Sequence, residues 1–380
     1  MGREIRAERI ERVVVRGANW VGDAVMSVPA LRELRRVLPG ARLTLATRPW
    51  AVGVFDGTDF LDDLLVVEDS GAGGAWRQAR AWRERRFDLA VLFPNAFGPA
   101  LVAALARVPA RVGYATAGRS FLLTHPLPVP PWRGQRHEVF YYLNVVDELA
   151  RRLGLDGRSE ARPRGQRHGH TDDRARVEAH EGPRAELHVS DERRRAALEL
   201  LRGHGLSVGR PVVALCPGST NSRAKRWPAE RFAALADLLA EEAGAQVLLV
   251  GSGEEAEVSA EVARAARSRP LDLTGRTKLA ESAALLSVCD LLVTNDTGPA
   301  HLADAVGCPV VVVFGPTDPV TTRPFSERAV VVRRPPDCAP CMLRDCPIDH
   351  RCMTAVSPRD VFAEAARVLA GRAAAAEVAR

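Results

Sequence analysis

Residues that could bind a phosphate stand together in the segment TNDTGPAHLADAVGCPVVVVFGPTDP, where an apolar run ends and a helical pattern begins. The run Leu291–Thr294 is followed within a few residues by Asp296, Thr297, Gly298 and His301. N–H groups at the start of a helix favour anions, and a histidine in the first turn can donate a hydrogen bond to them. This turn predicts a site for a nucleotide diphosphate. A histidine that only caps the helix is the competing interpretation.

A second polar turn, CPGSTNSRAKRWPAERF, follows another apolar run. Ser219 and Thr220 supply hydroxyl groups, and Lys225 supplies positive charge just before a helix that Pro228 starts. These groups at a helix entry favour phosphate binding. A solvated basic loop is the alternative, and the G-x-x-x-x-G-K pattern of a P-loop is absent.

A third turn, VLLVGSGEEAE, fits the pattern G-x-G-x-x-A after a strand. The pattern is close to a dinucleotide-binding fingerprint, but a single match of this kind is weak. Gly251 and Gly253 could simply shape the turn. Glu254 or Glu255 could hydrogen-bond a ribose, or could add favourable charge to the first helical turn.

The first turn of the chain, RGANWVGDAVMSVPAL, carries a candidate for proton transfer. Gly17 and Gly22 would let a ligand approach the backbone, and Asp23 stands near the start of a helix. A carboxylate there could act as a general base that takes a proton from a hydroxyl nucleophile. It could equally do no more than cap the helix.

The chain has 7 cysteines, and four of them lie close together near its end with the spacing C-x2-C-x4-C-x5-C. Four thiols so close could bind a structural zinc ion, although the spacing is tighter than in a usual zinc ribbon. A lasting disulfide is less expected in a reducing cytosol. The four residues are Cys338, Cys341, Cys346 and Cys352.

These turns lie within two series of segments in which strand and helix patterns alternate. The polar stretch 157–184, which we interpret as a loosely held linker, separates them. The alternation predicts βαβ units, so the fold class is α/β with two doubly wound, Rossmann-like domains. The 380 residues, 46% of them hydrophobic, suit two domains. Ligands of such sheets bind beyond the carboxyl ends of the strands, where the polar turns fall.

The formal charge of +6 fits acidic partners, although the excess is modest. The segment AWRQARAWRERRF has the pattern of a helix rich in arginine and tryptophan. Such a helix could bind the surface of an anionic membrane, but we favour a partly buried helix with an arginine-rich outer face. No apolar stretch approaches the roughly 18–20 residues of a membrane span, and the first residues are too charged for a signal peptide. We therefore expect a cytoplasmic protein.

Taken together and in order, these segments resemble the lipopolysaccharide heptosyltransferases of glycosyltransferase family 9. The similarity runs from about Arg12 to the terminal helix, and the segment CAPCMLRDCPIDHRCM is most similar to heptosyltransferase II. The resemblance implies a GT-B fold, in which two Rossmann-like domains face each other across a cleft. It implies domains at 1–190 and 191–356 and a terminal helix, 357–380, that returns to the first domain. The stretch 157–184 departs from the family.

The resemblance also assigns roles to residues on the donor side. Lys225, with Thr220 beside it, matches the lysine that binds the diphosphate in the family. The ribose-binding glutamate maps to Glu254 or Glu255. The remaining expected donor contacts are Ser219, Asp296, Thr297, Gly298 and His301.

On the acceptor side, Asp23 matches the catalytic base of the family. The segment RVGYATAGRSFLLTH resembles the acceptor-side segment, so Arg111 and Arg119 are expected to contact acidic sugars or phosphates.

The implied reaction is an inverting transfer of L-glycero-D-manno-heptose from ADP-heptose to a lipid A core that bears Kdo and a first heptose. No D-x-D motif is present, so no bridging Mg²⁺ and no required cofactor are expected. The implied place of work is the inner face of the inner membrane of a Gram-negative cell, with no nucleic-acid partner. The alternatives are heptosyltransferase I or another family 9 transferase, a nucleotide-sugar 2-epimerase, an NAD-dependent oxidoreductase, and a non-catalytic binder of membranes or nucleic acid.

Overall fold

In a computed structural model the chain divides into two compact units, Met1–Ala185 and Glu186–Arg380. The structure describes residues 5–68, 71–155, 183–207 and 209–378. Of the stretch predicted as a linker, 157–184, all but the last two residues lie outside the described ranges. The division between the units falls close to the domain boundary expected at 190.

The first unit contains a six-stranded sheet in which every pair of neighbours is parallel. The strands are β1 (Arg12–Arg16), β2 (Arg42–Thr47), β3 (Asp63–Val66), β4 (Leu89–Leu92), β5 (Ala110–Tyr114) and β6 (His125–Leu127). Their order is β3-β2-β1-β4-β5-β6. The direction of winding reverses between β1 and β4, which is the position where doubly wound sheets bind ligands.

Helices of the first unit cover this sheet. They are α1 (Val21–Met26), α2 (Val28–Val37), α3 (Gly71–Glu84), α4 (Phe97–Leu105) and α5 (Glu138–Arg152), with short 3-10 helices at Ala7–Arg9, Pro49–Val54 and Ser120–Leu122. α5 packs against α1 and α2. In α3, Trp82 is buried in the core while Trp76 is exposed, as expected of a partly buried helix with a polar outer face.

The sequence predicts one helix over GDAVMSVPALRELRRVLPG, and this prediction is wrong in one respect, because the helix is interrupted at Ser27. Ser27 Oγ donates to the carbonyl of Ala24 at 2.7 Å, which satisfies the end of α1. Pro29 then stands in the first turn of α2, where its missing N–H has no intrahelical partner to lose.

The second unit contains another six-stranded parallel sheet. Its strands are β7 (Val212–Cys216), β8 (Gln246–Leu249), β9 (Leu271–Asp272), β10 (Leu291–Asn295), β11 (Val310–Phe314) and β12 (Ala329–Arg333). Their order is β12-β11-β10-β7-β8-β9, so the winding reverses between β7 and β10. Every residue of β7, β10 and β11 is buried, which explains their continuous apolar runs.

The helices of the second unit are α6 (Asp191–Gly203), α7 (Ala229–Glu242), α8 (Ala256–Ala265), α9 (Leu279–Ser287), α10 (Gly298–Ala305), α11 (Pro319–Thr322), α12 (Arg351–Thr354) and α13 (Pro358–Val378), with 3-10 helices at Arg223–Lys225 and Gly253–Glu255. Ser357 caps α13, as predicted, by accepting a bond from the N–H of Asp360 at 3.1 Å. In the described ranges no helix is both long enough and apolar enough to cross a bilayer.

The terminal helix α13 packs within the second unit. Val361, Ala365 and Leu369 are buried in the same core as Trp227 and Val313. The expected return of this helix to the first domain concerns the two units together, and it stays a prediction.

Candidate functional site

In the second unit, Asn295 joins the two strands at which the winding reverses. Its Nδ2 donates to the carbonyls of Pro217 at 2.8 Å and Gly218 at 3.2 Å, and its Oδ1 accepts a bond from the N–H of Trp227 at 3.0 Å. One side chain at the end of β10 therefore holds both ends of the loop between β7 and α7. This is the polar loop that the sequence predicts as a phosphate site.

Lys225, on that loop, forms an ion pair with Asp296. Its Nζ lies 2.8 Å from Asp296 Oδ2 and 3.1 Å from the carbonyl of Asp296. Thr317 Oγ1 donates to the same carboxylate oxygen at 2.6 Å. The Asp296 side chain is 4% exposed and that of Lys225 is 26% exposed. An ammonium has three N–H donors, so after these two bonds Lys225 retains one for a ligand.

His301 lies in the first turn of α10 and is buried, with 5% of its surface exposed. Burial lowers its pKa to about 4; Asp296 opposes this shift, and Lys225 adds to it. The imidazole is therefore neutral at neutral pH and carries one N–H donor. Thr297 stands at the N-cap of α10, but its side chain makes no capping hydrogen bond there. The positive end of the helix is thus not neutralised by its own cap.

The structure distinguishes between the two candidate glutamates. Glu254 is exposed, whereas Glu255 is buried against the turn after β7. Glu255 Oε2 accepts bonds from the N–H of Ser252 at 2.9 Å and from its hydroxyl at 3.1 Å. A Cβ on Gly218 would lie 2.3 Å from Glu255 Cδ, so a larger residue at position 218 would require the Glu255 side chain to move. Glu255 is the glutamate that the fold brings to the predicted phosphate loop.

The two hydroxyl residues of the loop differ in exposure. Thr220 is exposed, whereas Ser219 is buried. The carbonyl of Ser219 accepts bonds from Arg226 Nε at 3.2 Å and Nη2 at 3.1 Å. Arg226 therefore shapes the loop, and Thr220 is the hydroxyl available to a ligand.

In the first unit, Asp23 lies in the first turn of α1, directly after β1. The N-cap residue of this helix is Trp20, whose side chain makes no capping hydrogen bond, and Asp23 is the acidic residue of the first turn, where its charge also favours the helix start. Tyr142 Oη, on α5, donates to Asp23 Oδ1 at 3.3 Å. Burial raises the pKa of Tyr142 well above its ordinary value, and Asp23 adds to this shift. The phenol therefore remains protonated and acts as a donor to the carboxylate.

A second carboxyl group lies near Asp23. Burial raises the pKa of Glu138, Arg133 opposes the shift, and Asp23 adds to it. The buried Arg16 supports the same turn by donating to Asn19 Oδ1 at 2.7 Å and to the carbonyl of Gly17. Burial, with a contribution from Arg48, lowers the pKa of Arg16 to about 10, so it stays charged at neutral pH.

The two arginines predicted to contact the acceptor are bonded to the protein backbone. Arg119 is 0% exposed, and it donates to the carbonyls of Tyr114 at 2.9 Å and Ala96 at 3.1 Å. The side chain is therefore inaccessible in this structure, and its acceptor role stays a prediction. Arg111, which is half-buried, donates to the carbonyls of Leu122 and Val108, each at 2.6 Å. Its role stays a prediction.

The four late cysteines are free thiols that line one cavity, together with His350. In the part of the chain that the structure describes, no group of three or more His, Cys, Asp or Glu side chains is arranged as a metal ion would require. Zinc binding at this segment stays a prediction.

Several residues that support the site were missed from the sequence: Arg16, Asn295, Thr317 and Tyr142. Only Asn295 carries a usable signal, because it stands at the end of an apolar run beside Asp296. Tyr142 lies 119 positions from Asp23, and only the packing of α5 brings it there.

Comparison with known proteins decides the family. The sequence profile described as glycosyltransferase family 9 (heptosyltransferase) matches residues 75–351. The chain belongs to this family. Lipopolysaccharide heptosyltransferase 2 of Salmonella typhimurium is 29% identical over 85% of this chain and 88% of its own length. The protein of the same name from Escherichia coli is likewise 29% identical, over 85% of this chain and 88% of its own length.

A solved structure of a similar protein supports this family membership. The structure of E. coli ADP-heptose LPS heptosyltransferase II matches this chain with a TM-score of 0.76 and 27% sequence identity. The match covers 96% of this chain and 99% of the E. coli chain. The predictions of a GT-B fold and a glycosyltransferase are confirmed. The alternatives of an NAD-dependent oxidoreductase, a sugar epimerase and a non-catalytic binder are set aside.

Proposed function

We propose that this family 9 transferase moves L-glycero-D-manno-heptose from ADP-heptose to the heptose- and Kdo-bearing inner core of lipopolysaccharide, as heptosyltransferase II does. The observation that carries the proposal is the similarity, over most of the chain, to relatives named lipopolysaccharide heptosyltransferase 2. The donor is supported by the solved relative named as an ADP-heptose transferase. Because the acceptor is a lipid, the chain would work at the inner face of the cytoplasmic membrane.

The second unit holds the donor in this proposal. The free N–H of Lys225, the start of α10 and the neutral N–H of His301 bind the diphosphate, and Thr220 adds a hydroxyl donor. Asp296 keeps Lys225 in place through the 2.8 Å ion pair. Glu255 is the candidate for the ribose hydroxyl groups.

The first unit activates the acceptor. Asp23 takes the proton from an acceptor heptose hydroxyl, and Tyr142 orients the carboxylate through its hydrogen bond at 3.3 Å. The hydroxyl oxygen forms a bond to the anomeric carbon of the donor as the bond from that carbon to the ADP oxygen breaks. The anomeric configuration inverts, and the electron pair leaves with ADP.

Negative charge grows on the leaving diphosphate during this step, so donors fixed beforehand around it lower the barrier. Lys225 and the α10 N-terminus supply such donors without a metal, and no cofactor is required in the proposed mechanism. The negative charge develops on the diphosphate oxygens. Lys225 and the α10 N-terminus already contact these oxygens before the reaction begins, so they need not move as the charge grows.

The test offers ADP-heptose with lipid acceptors that carry Kdo and either no heptose or one heptose, and follows ADP release and acceptor mass. We expect the one-heptose acceptor to gain one heptose with an equal amount of ADP released, and the acceptor without heptose to react far more slowly. Preference for the acceptor without heptose would overturn the assignment to the second addition. ADP release without any acceptor would overturn the transferase mechanism.

A further inference from the structure

The cysteine segment has the features of a binding site that the proposed transfer does not use. Four cysteines, Cys338, Cys341, Cys346 and Cys352, line one cavity of about 20 Å³. A space of this size holds about one water molecule or one ion. Thiol groups at C-x2-C spacing are ligands for soft divalent metals.

The backbone around this cavity has no regular secondary structure and buries few apolar side chains. The stretch 334–350 between β12 and α12 contains no helix or strand, and Met342, Leu343 and Ile348 are exposed. Met342 and His350 have φ angles of 58° and 60°, which are unfavourable for residues other than glycine. A segment with little apolar core and strained turns requires another constraint to hold its shape.

Two further observations concern the residues that line this cavity. The backbone N–H of His350 donates to Cys346 Sγ at 3.4 Å. His350 Nε2 is buried and, among the described residues, has no hydrogen-bond partner. The same histidine lines the cavity with the four cysteines.

We propose that the four thiols bind one divalent metal ion of the zinc or iron(II) class in tetrahedral geometry. On binding, each thiol loses its proton, so one M²⁺ replaces four protons. Among the described residues no group of three or more such side chains is already arranged to hold a metal ion, so binding requires the cysteine side chains to move. The metal would add a constraint to a segment that is otherwise held by a few hydrogen bonds and one ion pair.

This ion would also fix the phosphate loop of the second unit. The carbonyl of Arg344 accepts bonds from the N–H of Ala224 at 2.9 Å and from Ser222 Oγ at 3.1 Å. Asp345 pairs with Arg223 at 2.7 Å. Residues 222–224 directly precede Lys225, so loss of the metal should loosen the lysine. This consequence rests on the proposed donor site, whereas the metal site itself does not.

The experiment measures metal in the full chain after purification without metal-affinity resin, using elemental mass spectrometry. We expect about one equivalent of zinc or iron per chain, and less than about a tenth of that in the double variant Cys338→Ser/Cys341→Ser. The matched control is Cys308→Ala, a core thiol between α10 and β11, which should keep the metal. Cobalt substitution of the unaltered chain should give the absorption bands of tetrahedral cobalt thiolate, so the test does not depend on the folding of the variant.

Chains that hold no bound metal would overturn the proposal, as would a double variant that keeps it. Intact mass lowered by two hydrogens for each cysteine pair would show disulfides and overturn it equally. These outcomes do not involve heptose transfer, so failure here is distinct from failure of the proposed function. ADP affinity, measured with and without the metal, then tests the link to Lys225.

Discussion

The two units share one strand order but carry different chemistry where the winding of each sheet reverses. In the first unit, Asp23 accepts a hydrogen bond from Tyr142 and lies near a second carboxyl group, Glu138. In the second unit, Lys225 is paired with the buried Asp296 beside the neutral His301. The sheet order determines where loops converge, and the loop residues determine what happens there.

Asp296 and Asp23 both follow a strand in the sequence, but they have different roles in the two units. Asp296 accepts bonds from Lys225 and Thr317, so its charge is used within the protein to orient a cation. Asp23 is half-exposed at the start of a helix, where it can meet a substrate hydroxyl. One aspartate therefore has a positioning role, and the other is proposed to be catalytic.

Asp23→Asn should have the largest effect, because it removes the proposed base and leaves the backbone unchanged. We expect turnover to fall by about 10³-fold, measured as ADP release at saturating ADP-heptose. Asp59→Asn is the matched control, since Asp59 is an exposed aspartate of the same unit, and it should retain turnover within about twofold. Near-normal turnover in a stably folded Asp23→Asn protein would remove Asp23 from the mechanism.

The lowered pKa of His301 predicts that the stability of the folded chain depends on pH. Its folded pKa of about 4 is lower than its ordinary value of 6.5, so the unfolded chain binds the proton more tightly. The free energy of unfolding should therefore fall as the pH drops from 6.5 towards 4, by at most about 3 kcal/mol. Denaturant titrations at several pH values measure this loss, and His301→Gln should flatten it. An equal slope in both proteins would contradict the assignment.

Lys225→Ala should weaken ADP binding by about 10- to 100-fold, because it removes a charged donor to the diphosphate. The melting temperature should also fall, since Asp296 is left buried without its cation. Lys278→Ala is the matched control: Lys278 is an exposed lysine of the same unit, at the start of α9. Calorimetry should show its ADP affinity changed by less than about twofold. Equal losses in both variants would point to a general effect of positive charge instead of a specific contact.

Tyr142→Phe should have the smallest effect, a decrease in turnover of about 3- to 10-fold with ADP affinity unchanged, because the phenol only orients the carboxylate. The acid side of the pH–rate profile should also move to higher pH, since a hydrogen bond to a carboxylate favours its charged form. A profile that keeps its shape would leave the tyrosine with a packing role alone.

Much of the fold follows from the sequence, because strands buried on both faces form continuous apolar runs such as VVALC and VVVVF. The strand-to-helix turns that carry Asp23, Lys225 and His301 could be located in the same way. The interruption at Ser27 could not, because the apolar spacing continues across it. The order of strands is likewise set by packing and not by any one segment.

The burial and contacts of individual side chains are harder to predict from the sequence. Arg119 has the charge of a ligand-binding residue, but the structure uses it to hold backbone carbonyls inside the first unit. Glu254 and Glu255 are neighbours in sequence, and only the turn of the 3-10 helix decides which is buried against Gly218. Such outcomes depend on contacts between segments that are distant in the chain.

The division of labour between the units is tested most directly by an ADP titration of the Asp23→Asn protein. We expect an ADP dissociation constant within about twofold of that of the unaltered chain, together with the loss of turnover. A fall in ADP affinity as large as the fall in turnover would contradict this division, because Asp23 would then belong to the donor site.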